Sequence, residues 1–206
     1  SHIEELSNKG IPMVFFDRVC ETIDASRITT DDYESGFKAT EHLIESGSKK
    51  IAYLSISETL SITNKRMQGY QDALAKHKIE ADPAMIIQCS NDTEHNQELI
   101  TALLSGKNPP DGIFASVERL AIATYHVCAE LKINIPEKVK IISFSNLETA
   151  SLLNPSMTTI MQPAYNMGMK AASVLFKRLE KNNFNNREVI VMNSLLVVRD
   201  STKSGK

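Results

Sequence analysis

"DGIFASVERLAIATYHVCAELKINIPEKVKIISFSN", residues 111–146, decides the fold. Gly112 to Ser116 is a short apolar run with no polar face, as expected of a strand buried on both sides. From Glu118 to about Lys132 the period lengthens to that of a helix, and Val139 to Phe144 is again a continuous apolar run. No two-residue hairpin turn joins the two runs; one helix does. Strand, helix, strand in this form predicts a crossover between parallel neighbours, with a right-handed connection.

The same beat continues outward. Ile51 to Ile56 and Ala84 to Ile87 are further apolar runs, and Met67, Tyr70, Ala73 and Leu74 mark the helix between them. Leu99, Ile100, Leu103 and Leu104 mark another helix, stopped by Gly106 and Pro109-Pro110. Upstream, Pro12 to Phe16 and Arg27 to Thr30 read as extended pieces. A helix then starts at Asp31 with Glu34 as a capping box, and Gly47 ends it. The expectation is an α/β protein with a doubly wound parallel sheet, in which 51–56, 84–88, 112–116 and 139–144 lie side by side. After Phe144 the alternation breaks: Leu147 to Leu153 is a short helical stretch, and "NPSMTTIMQPAYNMG" (154–168) is an extended segment between two prolines. A long helix follows to about Lys181, then two apolar strands, Val189 to Met192 and Leu195 to Val198.

With 206 residues, 42% of them hydrophobic and 23% charged, the chain can bury a sizeable core. Its net charge of −2 provides no bulk electrostatic reason to bind nucleic acid or an anionic membrane. No apolar run approaches the ~20 residues of a membrane helix. "SHIEEL" lacks the pattern of a secretion signal, so a cytoplasmic location is the default. Cys20, Cys89 and Cys128 are odd in number and far apart, which argues against a disulfide framework or a zinc site and for reduced, buried thiols. Neither GxGxxG, GxSxG, a P-loop nor HExxH occurs, and the five histidines are scattered. No catalytic residue, metal site or cofactor is expected.

Ligands of an open parallel sheet sit beyond the carboxyl ends of its strands. The loops there are Ser57 to Lys65, read as long and polar and ending at Arg66, then Cys89-Ser90-Asn91, Val117-Glu118-Arg119 and Ser145-Asn146. Each has a plain structural alternative. Arg66 in a first helical turn is commonly a surface arginine, Asn91 and Asp92 suit a helix cap, and Glu118 complements a helix dipole.

With those loops placed, the chain resembles the effector-binding core of the LacI/GalR family of bacterial transcription regulators. The resemblance runs from Gly10 to Thr202 through "GIPMVFFDR" (10–18), "ATEHLIESGSKKIAYLS" (39–55), "RMQGYQDAL" (66–74), "PPDGIFAS" (109–116), "IPEKVKIISFSN" (135–146), "NPSMTTIMQPAYNMG" and "SLLVVRDST" (194–202). It implies a periplasmic-binding-protein-like core of two subdomains, the first incomplete. Residues 1–30 would end the N-terminal subdomain, 31–160 form the C-terminal one, 161–192 return to the first, and 193–206 carry the final crossover strand and tail. It also implies a small-molecule effector, a sugar or related metabolite, in the inter-subdomain cleft, with Asp17, Arg66, Asn91, Glu118, Ser145 and Gln162 as ligand-binding residues. Where the family usually has Asn-Asp this chain has Val117-Glu118, and Ser145 stands where an acidic residue is usual. A typical sugar-binding aspartate is therefore replaced by a weaker partner.

The resemblance further implies a homodimer, with Ile122 and Leu153 at the interface. Leu120 and Ile122 lie ~200° apart on a helix, so one of them must face outward. Operator DNA would be read by a helix-turn-helix headpiece that this chain does not contain, so the chain by itself is expected not to bind operator. The alternative is the solute-binding protein of a sugar transporter, which shares the fold and cleft, although "RMQGYQDAL" with "MTTIMQP" fits the regulators better. A small α/β enzyme comes third, for want of a nucleophile or cofactor loop.

Overall fold

The structure, a computed structural model, describes residues 2–19, 22–56, 61–181 and 187–203. In order, the elements are α1 (His2–Asn8), β1 (Val14–Phe16), β2 (Ser26–Thr30), α2 (Asp32–Glu45), β3 (Ile51–Ser55) and α3 (Ser61–Lys76). They continue with β4 (Ile86–Gln88), α4 (Thr93–Leu104), β5 (Gly112–Ala115), α5 (Glu118–Glu130), β6 (Lys140–Phe144), β7 (Thr158–Met161), α6 (Ala164–Lys181), β8 (Val189–Met192) and β9 (Leu195–Val197).

The chain divides into two compact units. The smaller holds residues 1–31 and 162–194, the larger 32–161 and 195–206. In the smaller, β1, β2 and β8 form a parallel sheet. Ile28, Met167 and Ala171 pack together there with Val14, Ile190 and Met192, which seats α6 on the sheet. Asp31 was expected to open a capping box; its Oδ1 accepts the backbone N–H of Ser194 at 2.8 Å.

In the larger unit the strand order is β4-β3-β5-β6-β7-β9. The first five are parallel, as expected for 51–56, 84–88, 112–116 and 139–144, and β9 joins antiparallel to β7. Two cores lie in this unit. Tyr53, Phe114, Ile142 and Ile160 point to one, packed with Leu43, Tyr70 and Leu74 of α2 and α3. Ala52, Leu54, Ile113 and Ile141 point to the other, packed with Ile100 of α4 and Leu120 and Val127 of α5. Strands apolar on both faces thus reflect helices on both faces.

The ends of the elements follow local chemistry. Gly47, at φ +98°, closes α2: its N–H reaches Ile44 O at 2.8 Å and that of Ser48 reaches Leu43 O at 3.0 Å. Pro83–Met85 is a 3-10 turn capped by Asp82, so β4 starts only at Ile86, later than expected. The stretch 148–152 is likewise a 3-10 turn. "VVRDST" is fastened to the sheet: Ser201 Oγ donates to Ile141 O (2.6 Å) and accepts from Thr158 N (2.8 Å), and Arg199 Nη1 reaches Met157 O (2.7 Å) and Thr159 Oγ1 (2.9 Å).

Another sequence expectation also fails. Residues 61–65 are not loop, because α3 already begins at Ser61. Polar residues there left no apolar stripe to reveal the helix. Ser57 to Leu60 of the same expected loop, and Cys20, lie outside the described residues.

Candidate functional site

α2 and α3 touch backbone to backbone, and glycine makes this possible. A Cβ on Gly36 would lie 2.2 Å from Arg66 O, and one on Gly69 would lie 2.2 Å from Tyr33 O. This notch brings the Arg66 turn of α3 against the first turn of α2. Arg66 is 4% exposed. Its Nε donates to Asp32 Oδ1 at 2.8 Å, and Nη2 meets the same oxygen at 2.7 Å. Nη1 donates to Ser116 O at 2.8 Å, just past β5. The guanidinium sits over the Phe144 ring, its Cζ 3.3 Å from the centroid.

Four chain segments therefore converge on one cation at the carboxyl end of the sheet. A guanidinium has five N–H donors. Three contacts use three of them, leaving one N–H on each of Nη1 and Nη2 without a partner among the described residues. These two donors are the chemical capability of the arrangement. Asp32, Ser116 and Phe144, which hold the arginine, were not singled out from sequence. Phe144 had read only as the end of a core strand.

Ser145 follows β6 and is buried, 4% exposed. Its Oγ donates to Glu118 Oε2 at 2.8 Å and accepts the Leu147 N–H at 2.9 Å. Glu118, the first residue of α5, is exposed, and the Val117 cap before it makes no side-chain cap bond. Asn91 is exposed in the loop before α4, and its Oδ1 accepts from Arg119 Nη2. Asp92, not Asn91, caps α4, accepting from Glu94 N and His95 N. A hollow of about 370 Å³ opens beside Glu118, lined also by Thr93, Gln97, Arg119, Ile122 and Leu147.

The remaining two expected residues belong to the smaller unit. Asp17 follows β1 with φ 62°, a left-handed conformation that aspartate tolerates better than most residues, and its N–H reaches Ile28 O at 3.1 Å. Gln162 accepts through Oε1 from Thr30 Oγ1 at 3.1 Å. Ile122 and Leu153 of the expected dimer face differ: Ile122 is 40% exposed, whereas Leu153 is half-buried against the core and its neighbour Leu152 is 79% exposed. Among the described residues no helix is long and apolar enough to cross a membrane, and no cluster of three His, Cys, Asp or Glu is placed to hold a metal.

The sequence profile of the periplasmic binding protein-like domain matches residues 40–202. The chain belongs to that family. Within it, the regulator branch stands out. The ribose operon repressor of Haemophilus influenzae is 29% identical over 197 residues, 96% of this chain and 59% of the repressor. The HTH-type transcriptional repressor PurR of Vibrio atlanticus is 30% identical over 194 residues, 94% of this chain and 58% of that protein. The crystal structure of a LacI family transcriptional regulator from Enterococcus faecium with bound ribose superposes with a TM-score of 0.89 at 25% identity, covering 99% of this chain and 75% of that one. This periplasmic-binding-protein-like chain is thus a LacI-family core, and it spans about three fifths of the length of the repressors it matches. The two curated relatives are transcriptional repressors.

Proposed function

We propose that the chain is the effector-sensing and dimerisation core of a LacI-type DNA-binding transcriptional regulator. It takes a sugar or related small metabolite at the carboxyl end of the larger sheet, and its parent acts on operator DNA in the cytoplasm. The observation that carries this reading is Arg66: a guanidinium buried, charge-balanced by Asp32 and braced on Phe144, with two N–H groups that take no partner among the described residues. A surface arginine would be solvated, and a purely structural one would spend its donors on the protein. Two donors on one fixed plane suit the oxygens of a ligand. The ribose bound by the Enterococcus faecium regulator supports an oxygen-rich ligand here. Asp17 and Gln162 keep the contact roles that the resemblance gives them. The exposed Ile122 and Leu152 support a homodimer through the face of α5 and the 148–152 turn, with Leu153 contributing from its half-buried position.

A thermal-shift screen against sugars, sugar acids, sugar phosphates and nucleobases tests the reading. A ligand bound only by the native state stabilises it by about 2.7 kcal/mol at a hundredfold excess over Kd. For a chain of this size that raises Tm by roughly 5–10 °C. An Arg66→Met variant shows no such rise. If no class shifts the wild-type chain, or if Arg66→Met responds as the wild type does, the reading fails.

A further inference from the structure

The bond between Ser145 and Glu118 assigns roles that their positions alone leave open. A serine hydroxyl has one proton and two lone pairs. At Ser145 the proton goes to Glu118 Oε2 and one lone pair takes the Leu147 N–H. The Ser145 backbone N–H is committed to Ile160 O at 3.0 Å. What this buried residue does, then, is hold a carboxylate.

Glu118 is the reverse case. It is exposed, its Oε2 is fixed by Ser145, and its Oε1 takes no hydrogen bond or ion pair among the described residues. A glutamate that merely complemented the dipole of α5 would need no hydroxyl partner on the neighbouring strand. Glu118 lies two residues beyond the carbonyl that Arg66 grips, and Ser145 directly follows the ring on which Arg66 rests. Carboxylate and guanidinium thus flank the same strand ends, β5 and β6. The charges around them are also informative. Asp32 already balances Arg66, and the guanidinium of Arg119 is engaged with Asn91.

We infer that Glu118, rather than Ser145, is the group that accepts ligand hydroxyls at the ends of β5 and β6. Ser145 is the positioning residue that holds it, and the pair selects an uncharged polyol over an anion. The inference rests on the effector reading above. Hydroxyl protons go to Glu118, ligand oxygens accept from Arg66, and a phosphate or carboxylate would meet the like charge of Glu118 while Arg66 is already balanced by Asp32.

Isothermal titration of this chain tests it, with D-ribose, inosine, D-ribose 5-phosphate and adenine as probes. D-ribose or inosine is expected to bind the wild type more tightly than D-ribose 5-phosphate does. Glu118→Gln weakens that polyol by roughly ten- to a hundredfold, the range for a hydrogen bond to a charged group. Ser145→Ala weakens it several-fold, Ser145→Thr restores it, and Ser145→Ala adds nothing on top of Glu118→Gln. A purely structural Ser145 would move thermal unfolding in both backgrounds but would not produce this coupling. Three results overturn the inference and leave the effector reading standing: tighter binding of ribose 5-phosphate or adenine than of either polyol, polyol affinity within twofold of wild type in Glu118→Gln, or additive losses in the double variant. Binding of none of the four overturns the effector reading, and this inference with it.

Discussion

Gly36→Ala tests the frame that holds Arg66. The new Cβ would lie 2.2 Å from Arg66 O, 2.8 Å from its Cα and 2.9 Å from its carbonyl carbon, all backbone atoms that no rotamer change can move. Ordinary contact begins at 3.4 Å, so α3 must retreat by roughly 1.2 Å. A retreat of that size stretches the 2.7 Å and 2.8 Å contacts to Asp32 to roughly 4 Å, beyond hydrogen-bond reach. Alanine gains up to about 1 kcal/mol of helix propensity. Against this stand about 1–3 kcal/mol of overpacking and part of the 3–5 kcal/mol that a disrupted buried ion pair costs. The net expectation is a loss of about 2–4 kcal/mol, read as a lower urea midpoint with an unchanged slope. Gly168→Ala in α6 is the counter-case, since nothing lies within 4 Å of its added Cβ, and it should gain up to about 1 kcal/mol. A Gly36→Ala chain that unfolds at the wild-type midpoint or above would refute the claim that the glycine notch sets the position of Arg66.

Arg66→Met leaves Asp32 buried without its cation and is expected to cost about 3–5 kcal/mol in urea unfolding, while adding Asp32→Leu recovers much of that loss. Burial holds the His42 imidazole below its ordinary 6.5. As pH falls, the unfolded chain therefore takes up that proton first. The stability His42 contributes is complete above about 6.5 and is lost as pH falls toward the folded value; a pH series of Tm should show an acid limb that His42→Gln flattens. Burial also pushes the Cys89 and Cys128 thiols up to about 11. Iodoacetamide at pH 7.5 should leave both unlabelled in the native chain and label both in guanidinium, as peptide mapping would show. Ile122→Asp should shift a sedimentation profile from dimer to monomer with no loss of helical signal; a profile like that of the parent would remove this face from the proposed interface.

The parallel sheet was legible because its strands are buried on both faces, which leaves apolar runs such as Ile51 to Ser55 that no amphipathic helix resembles. What escaped was either short-range chemistry or long-range convergence. Pro83 with the Asp82 cap turns the first half of an expected strand into a 3-10 turn. The mostly polar residues 61–65 begin a helix without announcing it. The antiparallel pairing of β9 with β7 joins residues far apart in the chain, and nothing in "LLV" sets its direction. The positions of Arg66, Asn91, Glu118 and Ser145 beyond the strand ends followed from the rule that ligands meet strand carboxyl ends, helped by the family resemblance. The partners of Arg66 did not follow, because Asp32 and Ser116 stand 34 and 50 residues from it and only the folded sheet brings them together. The hydrogen bond from Ser145 to Glu118 did not follow either, because 27 residues separate the two and only the folded sheet brings them together.

The central claim is that Arg66 is a ligand clamp rather than a structural ion pair. A crystal structure of this chain grown with the sugar that most raises its Tm tests that directly. Two ligand oxygens should lie 2.7–3.2 Å from Arg66 Nη1 and Nη2, with the Asp32 and Ser116 contacts intact. A ligand ordered more than ~10 Å from that guanidinium, beyond the span of one small molecule, would contradict the account.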